Sequence, residues 1–263
     1  MKAEPILGIR SQELISFKRR TGGSGRGPTS LIAGDRPFVR RVKDLEPVLY
    51  DFSSCRDVDL ELAAYTVYRT LWVNDDERSI LQKHGLRYDV TDMPPLMIGE
   101  EYVKTFGHEH LPCGGVWSHP ELFEILDGEA RFLMQRCHGE KVVDVCLVIA
   151  REGDMVLAPP GHGHIMINAS SRRLIVGNLV SRYCSQTYQR FVERKGGAYF
   201  LLRGETLVRN ENYPSLPEVR IMNATPLSFV DRDSGLLASF DRHPELFRFL
   251  NNQWDLPQYS RSE

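Results

Sequence analysis

The sequence predicts an all-β protein, an antiparallel sandwich or small barrel. Between residues 96 and 180, short apolar runs separated by turn residues recur about every ten residues, the spacing of small antiparallel sheets. Val, Ile, Leu and aromatic residues dominate those runs. Asp127-Gly128 supplies a hairpin signal between two of them.

Each element follows from local composition. Residues 21–30 (TGGSGRGPTS) read as a mobile loop, and Lys18-Arg19-Arg20 before them as a solvated basic run. Residues 63–73 (AAYTVYRTLWV) mix aromatic and β-branched residues and read as a strand. Ser79 to Gly85 reads as one helical turn stopped by glycine. Strands are then expected at 96–98, 101–106, 122–126, 130–135, 142–150, 155–158, 165–167, 174–180, 199–202 and 205–208. Residues 213–231, dotted with proline, read as irregular. In 241–253 (DRHPELFRFLNNQ), Leu246, Phe247, Phe249 and Leu250 fall at helical spacing and Asp241 is positioned to cap a helix. HPELF occurs at 119–123 and 243–247; the first copy reads as the entry to a strand and the second as a helix start. The division expected is an irregular, flexible N-terminal extension (1–35), a main domain (36–210) and a C-terminal extension (211–263) with a helix near 242–252.

Length and composition restrict the function classes. A chain of 263 residues is long enough for a sizeable core. A net charge of −2 gives no electrostatic footprint for nucleic acid or anionic lipid, so neither is an expected partner. No apolar run is long enough for a membrane span, and MKAEPILGIR lacks the apolar centre of a signal peptide. Five scattered cysteines with no CxxC pair suit reduced thiols. A cytoplasmic location is expected.

Two half-motifs carry the chemistry. His108 and His110 are separated by one residue, and on a strand positions i and i+2 share a face. Glu121 follows ten intervening residues later, with Gly128 beyond it. Downstream, GDMVLAPPGHGHIMIN places Gly153, Asp154, Pro159, Gly161, His164 and Asn168 in the pattern G-D-x4-P-x-G-x2-H-x3-N. Together these resemble the paired signatures of the cupins, although the gap before Glu121 is longer than most cupins have. The resemblance implies a cupin jelly-roll β-barrel, and one divalent ion per chain held by His108, His110, Glu121 and His164. Three imidazoles and a carboxylate suit Fe, Mn, Ni, Co or Zn without choosing among them. His162 and His119 compete as ligands, and Cys113 is a soft alternative at a glycine-flanked tip. Glu109 and Glu124 are expected on the opposite faces of their strands.

Within the cupins, the sequence resembles the archaeal-type glucose-6-phosphate isomerases. The matching residues are Thr105-Phe106-Gly107-His108-Glu109-His110, Glu121-Leu122-Phe123, Ala158-Pro159-Pro160 with His164, the Val39–Leu45 lead-in and Arg194-Lys195-Gly196-Gly197. The likeness covers roughly residues 36–202. It implies that Thr91, Thr105, Gly107, Tyr68 and Tyr188 hold a sugar phosphate, that Glu121 is the catalytic base, and that the protein is a homodimer. The implied reaction interconverts glucose 6-phosphate and fructose 6-phosphate by proton or hydride transfer between C1 and C2. Phe123 stands where the family carries tyrosine, Gln186 where it carries histidine, and Val180 opens a stretch in which only Tyr188 is retained. A cupin dioxygenase and a non-catalytic sugar-binding cupin are the alternatives.

Overall fold

A computed structural model describes residues 14–20, 26–113, 117–227, 229–230, 234–252 and 255. The chain begins with a hairpin of β1 (Leu14–Arg20) and β2 (Arg26–Ala33). The loop expected over 21–30 is therefore strand from residue 26, and residues 21–25 lie outside the described set. The N-terminal extension expected to be irregular is joined to the main sheet, with Ile32 opposite Trp72 and Ala33 opposite Leu71. β3 (Phe38–Arg41) and β4 (Ala63–Trp72) follow. Helix α1 (Asp75–Lys83) starts earlier than expected, because the Asn74 side chain accepts a hydrogen bond from Glu77 N at 2.9 Å and three acidic residues occupy its first turn. Gly85, at φ +63°, ends it and leads into β5 (Leu86–Met93).

β6 (Met97–Ile98) and β7 (Glu101–Tyr102) form a small hairpin. The ligand region contains β8 (Glu109–His110), β9 (Pro112–Cys113) and β10 (Trp117–Ser118). The barrel strands are β11 (Glu121–Asp127), β12 (Glu129–His138), β13 (Lys141–Arg151), β14 (Met155–Ala158), β15 (His162–Ile167) and β16 (Leu174–Ser181). β17 (Gln186–Thr187), α2 (Gln189–Glu193), β18 (Tyr199–Leu202), β19 (Thr206–Arg209) and β20 (Arg220–Asn223) complete the domain. The segment expected to be irregular thus contains β20, which pairs in parallel with β13.

The larger sheet runs β1-β2-β4-β5-β16-β11-β14, with β3 also on β4, and the facing sheet runs β15-β12-β13-β20. Every pairing in these sheets except β13–β20 is antiparallel, which makes the domain a cupin jelly roll. Asp127-Gly128 is not a hairpin. β11 pairs with β14 and β16 while β12 pairs with β13 and β15, so the chain changes sheet there. Gly128 sits at φ +88°, and a Cβ on it would come within 2.5 Å of Arg173 O. The tight hairpin lies instead at Gly139-Glu140, between the paired His138 and Lys141, where Gly139 supplies the positive φ.

Two cores explain the strand patterns. Phe123 and Ile125 of β11 enter the core between the sheets, while Leu122 and Leu126 enter a second cluster on the outer face of the larger sheet. α3 (Leu236–Arg242) and a 3-10 segment, Pro244–Leu250, cover that outer face with Leu236, Leu237, Phe240, Phe247 and Phe249. β16 is consequently buried at every position. The single C-terminal helix expected near 242–252 is divided at His243, because the following Pro244 disfavours helical backbone at the residue before it. Asp241 lies inside α3, near its C-terminal end, rather than at the start of a helix. Leu246 is exposed, whereas Phe247, Phe249 and Leu250 are buried.

Candidate metal centre

Four side chains from three parts of the barrel converge. His110 is on β8 and His108 sits just before it, bridged to His164 of β15 by backbone hydrogen bonds in both directions. Glu121 opens β11, the first residue of its inward-facing row. The potential ligand atoms of His108, His110, Glu121 and His164 all lie within 4.8 Å of one another. Glu121 Oε2 is 4.0 Å from His108 Nε2, 3.2 Å from His110 Nε2 and 3.4 Å from His164 Nε2.

The surrounding bonds fix these groups. His110 Nδ1 lies 2.7 Å from the His119 carbonyl, so it must donate there, which leaves Nε2 as the ring atom facing inward. Asn178 Nδ2 donates to Glu121 Oε1 at 2.6 Å and holds the second carboxylate oxygen. His108 Nε2 and His110 Nε2 approach to 3.2 Å, and both ring nitrogens of His164 are buried without a hydrogen-bond partner. Orphaned imidazole nitrogens around one carboxylate fit a divalent ion bound by three histidines and a glutamate. Burial holds His108 well below its ordinary value. Burial pulls His110 down as well, but contacts with Cys184 and Glu121 outweigh it and push it up to about 10. For Glu121, burial acts upward and the His110 and His164 rings override it, so the carboxyl stays well below the usual range. Glu121 therefore stays ionised among the three rings.

The competing residues lie elsewhere. His162 Nδ1 engages Pro160 O at 3.1 Å, and Glu109 points outward to an ion pair with Arg190. Glu124, on the outer face of its sheet, accepts from Leu236 N at the start of α3. Cys113 is exposed at its tip. His119 contributes its carbonyl to His110, and its ring Nδ1 bonds Leu250 O at 3.0 Å, which ties the ligand loop to the C-terminal segment.

Of the expected phosphate residues, Thr91, Thr105, Gly107 and Tyr188 line the same cavity as the four ligands. Tyr68 does not. It alternates away from the lining residues Tyr65, Val67 and Arg69 of β4 and packs against the outer cluster. Gly107 is needed for a different reason than crowding of a ligand: at φ +83°, a Cβ there would meet Phe191 and Ile165 at 2.7 and 2.8 Å. Sequence reasoning also missed Arg69, Arg87, Asp89, Asn178 and Cys184, all of which line the cavity. The i, i+2 alternation from Thr91 through Asp89 to Arg87 was the available signal. Arg40, in the lead-in segment, lies over the rings of Phe106 and Tyr188 at 5.1 and 5.9 Å. The cavity encloses about 80 Å³, below the roughly 300–1,000 Å³ of most ligand sites. Gln186, which also lines the cavity, donates to the Tyr188 hydroxyl.

Comparison with known proteins gives three results. Solved structures with similar folds include an oxalate oxidase in complex with the substrate analogue glycolate, at 16% identity over 48% of this chain and 55% of the other, with a TM-score of 0.35. A Cupin_2 domain of a transcriptional regulator from Enterobacter cloacae matches at 14% identity over 44% of this chain and 94% of the other, with a TM-score of 0.29. The chain thus spans about half the length of the oxalate oxidase it matches. No curated protein sequence matches it. The family described as Glucose-6-phosphate isomerase (GPI) matches residues 39–218, a span that holds all four ligands and most of the barrel. The chain belongs to the glucose-6-phosphate isomerase family.

Proposed function

We propose that the protein is a metal-dependent aldose–ketose isomerase acting on glucose 6-phosphate and fructose 6-phosphate, or on a closely related sugar phosphate. The observation that carries this reading is the shared cavity of the four ligands and the hydroxyls of Thr91 and Thr105. Family membership supports it.

His108, His110, Glu121 and His164 would hold one divalent ion. Bound there, such an ion supplies a Lewis acid that offsets negative charge developing on sugar oxygens. The protein's own groups then have distinct tasks. Glu121 is the carboxylate available to move a proton between C1 and C2, with Asn178 fixing its orientation. Thr91, Thr105 and the backbone N–H of Gly107 offer hydrogen bonds to a phosphate dianion. Arg69 adds positive charge to the same wall, where Arg87 is paired with Asp89. Phe123, lacking a hydroxyl, makes its part of the wall apolar and packs 5.5 Å from the His164 ring.

The test is a coupled assay for fructose 6-phosphate conversion, run before and after chelation and again after metal is restored. Activity that disappears and returns supports the proposal. Absence of turnover with every restored metal, or dioxygen consumption in its place, rejects it in favour of a non-catalytic cupin or an oxygenase.

A further inference from the structure

A second cavity, of about 490 Å³, lies apart from the metal ligands, beside α1 and the end of β4. Three guanidinium-bearing residues, Arg78, Arg87 and Arg182, line it. One carboxylate, Asp35, shares the lining and already accepts a hydrogen bond from the Thr70 hydroxyl at 3.0 Å. Arg87 is paired with Asp89 at 2.8 Å. Arg78 lies 4.7 Å from the centre of the Trp72 ring, and Arg182 5.8 Å from that of Tyr183. Among the described residues, neither of these two arginines has a carboxylate partner.

This cluster of cations is a local feature, because the whole chain carries a net charge of −2. Arg78 and Arg182 are exposed and Arg87 is half-buried, and guanidinium groups lining one concave space offer an oxyanion forked hydrogen bonds. The volume falls within the range of small-molecule sites. The backbone of the wall is bulged, where the register of β4 against β5 shifts between Tyr68 and Leu71. Thr70, a β-branched residue in the wall, has φ +56°. Its N–H donates to Asp89 at 2.9 Å and its carbonyl accepts from Gly34 at 3.0 Å. Left-handed backbone at such a residue is costly, and strain of this kind clusters at ligand sites.

We propose that this cavity binds a small polyanion, a phosphorylated or polycarboxylate metabolite with at least two negative charges, through Arg78 and Arg182. The site is separate from the metal centre, although Arg87 lines both cavities. The inference does not depend on the isomerase reading, because its readout is binding rather than turnover.

The experiment is isothermal titration calorimetry on the full metal-loaded chain, with inorganic pyrophosphate and citrate as separate probes. One site per chain is expected, and the tighter probe identifies whether phosphoryl or carboxylate groups are preferred. Arg78→Gln with Arg182→Gln should weaken that binding at least about tenfold. Arg203→Gln with Arg209→Gln makes the same charge change far from the cavity and should alter it less than about twofold. His164→Ala, which removes a metal ligand, should also leave it within about twofold. No saturable binding of either probe at millimolar concentration overturns the proposal. Equal losses in the two double variants also overturn it, since they indicate general charge attraction. A loss confined to His164→Ala does so too, because it places the anion at the metal centre.

Discussion

Thr91 and Thr105 share one cavity, but their hydroxyls are differently engaged. Thr105 Oγ1 accepts a hydrogen bond from Met166 N at 2.9 Å, so deleting it would leave a backbone donor unpaired and confuse stability with binding. The Thr91 hydroxyl has no hydrogen-bond partner among the described residues, which makes Thr91→Val the cleaner probe. If Thr91 contacts phosphate, that variant should bind fructose 6-phosphate about 1.5–3 kcal/mol more weakly, the value of a hydrogen bond to a charged group, with metal content unchanged. Titration calorimetry reads the difference, and unaltered affinity removes Thr91 from the phosphate site. His108 and His110 were legible in the sequence because i, i+2 spacing mirrors strand geometry, and His164 because its segment resembles the second cupin signature. Tyr68 was misplaced because a resemblance cannot report which face of β4 a residue occupies, and the register of β4 against β5 shifts just after it.

At the scale of elements, Gly107 joins Thr105, which is hydrogen-bonded to Met166 of β15, to the ligand strand. Gly107→Ala adds a methyl group that meets Phe191 and Ile165 inside van der Waals contact, so overpacking of about 1–3 kcal/mol is expected, with further strain from the positive φ. Because His108 is the next residue, metal affinity should fall together with stability. Urea midpoints and metal analysis check both, and a variant with native values for each would show that the backbone relaxes there freely. β11 was readable because the short, mostly apolar run of residues 122–126 ends at the turn residues Asp127-Gly128. The break between α3 and the 3-10 segment was present in the sequence as Pro244, but helical spacing of the phenylalanines obscured it. The sheet change at Gly128 was not readable, since Asp-Gly serves a hairpin and a crossover equally well and only long-range pairing distinguishes them.

For the whole molecule, the metal centre should govern the pH dependence of stability. His108 is depressed, so below its ordinary value near 6.5 the unfolded chain takes up a proton first and stability falls on acidification. Glu121 is depressed too, so its contribution is present above its ordinary value of 4.5 and is lost at lower pH. His110 is raised to about 10, so its contribution is complete below 6.5 and is lost as pH climbs towards 10. Chelated protein should therefore lose thermal stability between pH 7 and 10. Metal-loaded protein should melt higher and lose less, because binding requires neutral imidazoles and displaces that proton. Calorimetric scans of both forms decide it, and parallel pH profiles would reject metal binding by these residues. A homodimer is the expected assembly. β20 is an edge strand with Ile221 and Met222 exposed, a natural surface for a second copy. Light scattering at micromolar concentration should give twice the mass of the chain, Ile221→Lys should reduce it, and a monomeric parent excludes the dimer. No helix among the described residues is long and apolar enough to cross a membrane. The sequence by itself determined the all-β class and most barrel strands, because the spacing of short apolar runs and turn residues is a local property, and the likeness of two motifs to the cupin signatures pointed to the four candidate ligands. The tertiary structure alone decided the sheet order, the covering of the outer face by the C-terminal segment, the arginines in the metal cavity and the second cationic cavity. Those depend on register and packing between segments far apart in the chain, which local composition does not encode.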